Sequence, residues 1–199
     1  MARLTGKNIL FIIPKDYYNE NELDPLVAIM KEEGARVLIA SSKFKEAVGM
    51  KTGRIMPDLM VVDAMEGIIG DTYVTGGTGT RQIIGVFHGI ILIGGNGARL
   101  YLWKEKLIRL LITDRHKCGM VVGAVGAAVP TLISAGLVHE FDVAASRDKH
   151  TLKELEKANI KITDDDVADY DRVITCAGES AIKPFAERFI DEVSKTDLK

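Results

Sequence analysis

The groups from which this 199-residue chain could build chemistry are few: two cysteines, four histidines and a cluster of acids near the first strand-like run. Cys176 closes the run Arg172-Val173-Ile174-Thr175-Cys176, just ahead of Ala177-Gly178-Glu179-Ser180 and a helical pattern. A thiol beside a helix N-terminus feels a field that favours the thiolate, so Cys176 is a candidate nucleophile. The competing reading is a buried, unreactive thiol. Cys118 sits at the opening end of its strand and reads as an inert structural thiol. Glu22 follows the first apolar run together with Asp16, Tyr17, Tyr18 and Glu20. A carboxylate there either serves the helix N-terminus or turns into a cleft. In a cleft it loses water, its pKa rises, and it becomes a protonated donor or a general acid–base. The two tyrosines would add stacking area and hydroxyls.

Gly94-Gly95-Asn96-Gly97 follows a second apolar run. Successive glycine amides can turn toward one oxygen as an oxyanion nest, or simply make a tight turn. Val122-Gly123-Ala124-Val125-Gly126-Ala127-Ala128-Val129 has the outline of a nucleophile elbow, yet nothing between Gly119 and Pro130 can attack a carbonyl. His88, His116, His139 and His150 show no metal-ligand spacing, and none is placed as a base for Cys176. No metal site and no cofactor is expected, and a Cys-His-acid triad cannot be assembled.

These groups need a scaffold, and the hydrophobic pattern supplies one. Asn8–Ile13 is a continuous apolar run ending at Pro14, as for a strand buried on both faces. Leu23, Leu26, Val27 and Met30 recur at helical spacing up to Gly34, and Ala35–Ala40 is a second strand. Gly89–Ile93 is a strand, with a helix after it whose apolar face uses Leu100, Leu107, Leu110 and Leu111. Met120–Val125 and Arg172–Cys176 are further strands. Leu132, Ile133 and Leu137 mark a short helix, and Ile182, Phe185, Ala186, Phe189, Ile190 and Val193 form the stripe of a closing one. Alternating strands and helices imply a three-layer α/β/α, flavodoxin-like fold: a mostly parallel sheet with helices on both faces. Ligands then bind beyond the carboxyl ends of the strands. Residues 53–63 suggest a small hairpin or an antiparallel edge. Residues 64–86 form a glycine-rich insertion or hairpin, whose Thr75-Gly76-Gly77-Thr78-Gly79-Thr80 matches neither the dinucleotide fingerprint nor the Walker loop.

Composition narrows the partners. The chain is 47% hydrophobic and 27% charged with a net charge of −2, which suits one globular domain over 1–199 and gives no basic stripe for nucleic acid. No run of 18 apolar residues exists to span a membrane, and Met1–Lys7 carries no signal core. A cytoplasmic chain with free thiols is expected.

In order and spacing the sequence resembles the DJ-1/PfpI (ThiJ/PfpI) superfamily, related to the class I glutamine amidotransferase domain. The resemblance rests on Glu22-Leu23, Pro25, Lys31-Glu32-Glu33-Gly34, Pro57-Asp58, Ile91-Leu92-Ile93-Gly94-Gly95 and Ile133-Ser134-Ala135-Gly136-Leu137. Ile93 stands where that family usually has proline. The resemblance implies that the family's catalytic glutamate is Glu22 and that its oxyanion amides are Gly94 and Gly95. Counted back from Ile133, the family's nucleophilic cysteine falls on Gly126, and the histidine that follows it in protease-like members falls on Ala127. The histidine found further on in other members falls near Val143 and Ala144. Thr175-Cys176-Ala177-Gly178-Glu179 replaces the usual Thr-Ser-Arg-Gly-Pro.

Two readings follow. One is a non-proteolytic binding or scaffold protein that keeps a pocket for a small molecule around Glu22, Gly94, Gly95, Gly126 and Ala127. The other is a glyoxalase-, deglycase- or hydrolase-like enzyme using Glu22 and Cys176. The glycine at position 126 argues against a cysteine peptidase. The resemblance also implies a homo-oligomer.

Overall fold

The structure is a computed structural model that describes residues 2–70, 81–83, 86–139 and 141–197. The first half runs β1 (Asn8–Ile12), β2 (Asp16–Tyr18), α1 (Glu20–Glu32), β3 (Arg36–Ser41), β4 (Ala47–Gly49), β5 (Arg54–Ile55), β6 (Leu59–Met60), α2 (Val61–Glu66), β7 (Ile68–Gly70) and β8 (Arg81–Ile83). The second half runs β9 (Gly89–Leu92), α3 (Ala98–Tyr101), α4 (Lys106–Lys117), β10 (Val121–Val125), α5 (Val129–Ser134), α6 (Lys149–Lys157), β11 (Val167–Tyr170), β12 (Val173–Cys176) and α7 (Ile182–Ser194).

Seven strands form the central sheet in the order β11-β12-β10-β9-β1-β3-β6, all parallel except the edge strand β11. Side chains alternate across it, so β1 sends Leu10 and Ile12 to one face and Ile9 and Phe11 to the other. The first face packs on Leu111, Ile112, Leu132 and Leu155 from α4, α5 and α6. The second packs on α1 and α7. All six stripe residues of α7 are buried, as their spacing predicts. The stacked Phe185 and Phe189 rings fit because Gly89 and Gly123 leave room on the sheet: a Cβ at either glycine would come within 2.7 Å of a phenyl ring. This is the expected mostly parallel sheet with helices on both sides.

Three local expectations are corrected. Arg54–Ile55 does pair antiparallel with β4, but Leu59–Met60 joins the main sheet parallel to β3, and Val61–Glu66 is helix. Asp58 binds Ile39 through both backbone and carboxylate, and the Asp63 side chain accepts from the Met60 amide, so the chain turns into a helix there. The helix after Gly97 is two helices. It stops at Leu102 and restarts where the Glu105 carboxylate accepts from the Leu107 amide, which resets the phase. The buried face of α4 is therefore Ile108, Leu111 and Ile112, while Leu100, Leu107 and Leu110 are exposed. Cys118 ends α4 as an exposed thiol.

Ile68–Gly70 pairs antiparallel with Arg81–Ile83. The Thr75–Thr80 run lies outside the described residues. α6 and β11 lie outside the elements expected from the apolar runs and stripes. Among the described residues no helix is long and apolar enough to cross a membrane.

Candidate functional site

Glu22 reaches its place through the start of α1. Asn19 is the N-cap, its Oδ1 accepting from the Asn21 amide at 3.1 Å, which puts Glu22 at the third helical position. A glutamate there often folds back on the cap amide. Here the Asn19 amide instead donates to the Gly94 carbonyl at 3.2 Å, and the Glu22 side chain turns inward to only 3% exposure. Its Oε2 accepts from the Gly94 amide at 2.8 Å and its Oε1 from Asn19 Nδ2 at 3.1 Å. Glu20, one helical position after the cap, points the other way. Its carboxylate collects the Met50, Lys51 and Gly53 amides at 2.9–3.0 Å and shapes the β4–β5 turn.

Burial pushes the Glu22 carboxyl up to about 7, against the Gly94 and Asn19 hydrogen bonds and with help from the Glu179 charge. The carboxyl is therefore close to half protonated near neutrality and can both give and take a proton. Asn19 Nδ2 also donates to Glu179 Oε1 at 3.0 Å, and Asn21 donates to Glu179 Oε2 at 2.9 Å. Those two hydrogen bonds hold the Glu179 carboxyl below its ordinary range. One carboxamide thus joins a buried acid that is near its midpoint to an exposed one that stays ionised.

Gly126 heads the turn between β10 and α5 at φ +56°, where an L side chain is strained. A Cβ there would lie 2.7 Å from Glu22 Oε1. With no side chain at that point, Oε1 faces the cavity across bare backbone. The turn is held from behind by Trp103, whose Nε1 donates to the Ala127 carbonyl at 2.6 Å. The Gly94 amide belongs to Glu22, and the Gly95 amide takes no protein acceptor among the described residues. Of the two glycine amides expected to form an oxyanion nest, only Gly95 is left for a ligand.

The cavity holds about 410 Å³ and is lined by Glu22, Gly95, Gly126 and Ala127, with Ala177, Gly178 and Glu179 beyond. Its rim includes Lys149 and His150, opposite α1. Residue types alone did not single these two out. The signal that would have found them is Asp148 as an N-cap followed by Thr151 and Leu155 at helical spacing; Asp148 does cap α6, accepting from the His150 and Thr151 amides. The cavity lies beyond the carboxyl ends of β1, β9, β10 and β12, where an open α/β sheet is expected to bind.

Cys176 does not line it. The side chain is fully buried among the apolar residues of the α7 face, and Sγ donates to the Gly178 carbonyl at 3.4 Å. Burial pushes the thiol up to about 12, opposite to the lowering that a helix N-terminus would give. Native-state alkylation followed by mass spectrometry is expected to modify Cys118 readily and Cys176 only as fast as the protein unfolds. Fast labelling of Cys176 at neutral pH would restore it as a nucleophile. The two tyrosines are also placed elsewhere: Tyr17 is exposed outside the cavity lining, and Tyr18 is buried in the core. Among the described residues no three His, Cys, Asp or Glu side chains are grouped to hold a metal ion.

Residues 7–192 match the model of the DJ-1/PfpI family. An uncharacterized protein of Methanocaldococcus jannaschii is 24% identical over 192 residues, covering 96% of this chain and 84% of that one. The glutathione-independent glyoxalase DJR-1.2 of Caenorhabditis elegans is 26% identical over 186 residues, covering 93% and 88%. The crystal structure of a ThiJ/PfpI domain protein from Brachyspira murdochii superposes with a TM-score of 0.78 at 19% identity, covering 98% and 99%.

Proposed function

This chain belongs to the DJ-1/PfpI family, and from that membership we propose that it is a non-proteolytic small-molecule binding protein whose ligand is read by a protonated Glu22. In this reading Gly126 occupies the position of the family's cysteine nucleophile, and Ala127 that of the histidine beside it. The observation that carries the proposal is the Glu22 carboxyl, buried and pushed up to about 7, facing a cavity across Gly126, which offers no side chain to act as a nucleophile. A ligand carbonyl would accept the Glu22 proton and the Gly95 amide together. A homo-oligomer in the cytoplasm belongs to the same reading.

A second reading is supported by the glyoxalase among the relatives. A carboxyl near its midpoint is also suited to proton transfer, so Glu22 alone would act as acid–base on a small dicarbonyl. One experiment separates them: calorimetric titration with pyruvamide, a small neutral carbonyl acceptor, alongside a methylglyoxal consumption assay. The binding reading expects saturable pyruvamide binding that weakens roughly tenfold per pH unit above 7 as Glu22 ionises, with no methylglyoxal consumption above the Glu22→Gln background. Consumption that vanishes in Glu22→Gln establishes the enzyme instead. Pyruvamide binding that ignores pH and Glu22 sinks the binding reading.

A further inference from the structure

A second cavity, of about 380 Å³, opens on the same edge of the sheet and shares no lining residue with the Glu22 cavity. It lies past the ends of β1 and β3, between the start of α2 and the α3–α4 junction. Its floor is aliphatic: Val61 is buried, and Val62, Leu100 and Leu107 stand 39%, 64% and 40% exposed around it. Single exposed apolar residues are ordinary, but three converging on one cavity are not. Lys15, Lys43 and Lys104 also line it. None of the three forms an ion pair among the described residues.

The nearby acids are already engaged. Asp16 is paired with Lys45 at 2.6 Å, and the Glu105 carboxylate, the one acid in the lining, accepts from the Leu107 amide of its own helix. An aliphatic floor with unpaired ammonium groups is complementary to an anion that carries a hydrocarbon body. The Lys15 ammonium lies 4.6 Å from the centroid of the Tyr101 ring, the one aromatic ring in the lining, and covers one of its faces. That favours an alkyl chain over an aryl group.

We propose that this groove binds a medium-chain acyl carboxylate, with the chain on Val61, Val62, Leu100 and Leu107 and the carboxylate among Lys15, Lys43 and Lys104. The test is amide NMR of the full-length protein titrated with octanoate and, separately, with 1-octanol. Octanoate is expected to shift the Val62, Tyr101 and Leu107 amides saturably, with a dissociation constant on the order of 1 mM, and to leave Gly94 unmoved. The alcohol should bind at least about tenfold more weakly, and so should octanoate to the Lys43→Ala/Lys104→Ala protein. Leu107→Glu should abolish binding. All of these are surface changes, so folding survives them.

Equal binding of acid and alcohol overturns the proposal, as does the absence of saturation by about 10 mM. It is likewise overturned if the Val62, Tyr101 and Leu107 amides shift with protein concentration rather than with octanoate, since a second copy of the chain then covers the groove. The Glu22 proposal is untouched by any of these outcomes, because its tests, pyruvamide calorimetry and methylglyoxal consumption, report on a cavity that shares no lining residue with this groove.

Discussion

Between pH 4.5 and 7 the folded protein is expected to lose about 3 kcal/mol of stability through Glu22, and Glu22→Gln to remove that loss. The carboxyl is held at about 7 in the fold against an ordinary value of 4.5. As pH rises from 4.5, the unfolded chain gives up this proton while the folded one keeps it. The folded state therefore binds more protons across that window, and stability falls with pH at up to about 1.4 kcal/mol per unit. The contribution is fully present below 4.5 and gone once the folded carboxyl has ionised above 7.

Glutamine keeps an acceptor for the Gly94 amide and carries no charge to desolvate. Its own amide faces the Asn19 amide, which costs about 1 kcal/mol of hydrogen bonding. At pH 8 the variant is thus expected to be more stable than the parent by about 2 kcal/mol. Urea unfolding of both proteins at half-unit pH steps reads the difference directly. Subtracting the two curves also removes the contribution of His88, whose pKa burial holds below its ordinary value. A difference that does not change with pH would mean that Glu22 is hydrated and ionised like a surface acid.

The second large effect is expected at Gly97. A Cβ there would lie 1.8 Å from the Asp16 carbonyl oxygen and 2.9 Å from Pro14 Cβ. The carbonyl is held in place by the chain itself, since Asp16 is paired with Val48 in the small sheet and the Gly97 amide donates to the next carbonyl, that of Tyr17, at 3.1 Å. Gly97→Ala must push the loop after β9 away from the loop after β1. The predicted cost is about 3 kcal/mol or more, at the upper end for overpacking. It should also part Gly94 from Glu22, because Gly94 opens the loop after β9 and Glu22 lies in the first turn of α1, which directly follows β2.

Gly119→Ala is the control. Nothing lies within 4 Å of a Cβ at that position, so only its left-handed backbone is penalised, by about 1 kcal/mol. Urea midpoints give both costs, and loss of the pH-dependent Glu22 contribution in Gly97→Ala but not in Gly119→Ala confirms the coupling. Equal costs for the two substitutions would show that the loops yield freely.

Read from the sequence alone, the layers of the fold are fixed by where apolar residues repeat. The runs Asn8–Ile13, Gly89–Ile93 and Met120–Val125 and the six-residue stripe of α7 each bury what their period predicts, because burial on a regular element is a local property of the pattern. Glu22, Gly94, Gly95, Gly126 and Ala127 could be named from their order along the chain. Their mutual distances could not, because they come from three different strand ends and meet only when β1, β9 and β10 lie side by side.

The direction each side chain takes was also beyond the sequence. Glu20 and Glu22 are both acids in the first turn of one helix, yet one clamps a surface turn and the other enters the cleft, because adjacent elements offer each a different set of amides. Cys176 precedes a helix, which by sequence alone favours a thiolate. The packing of α7 over its strand closes off water and holds it as a thiol. Lys149 and His150 reached the rim through a helix whose pattern is short and mostly polar. Local sequence set the elements and the residue types. Desolvation, and the choice of hydrogen-bond partner that goes with it, arose only when the strand ends came together, and those two quantities decide what Glu22 and Cys176 can do.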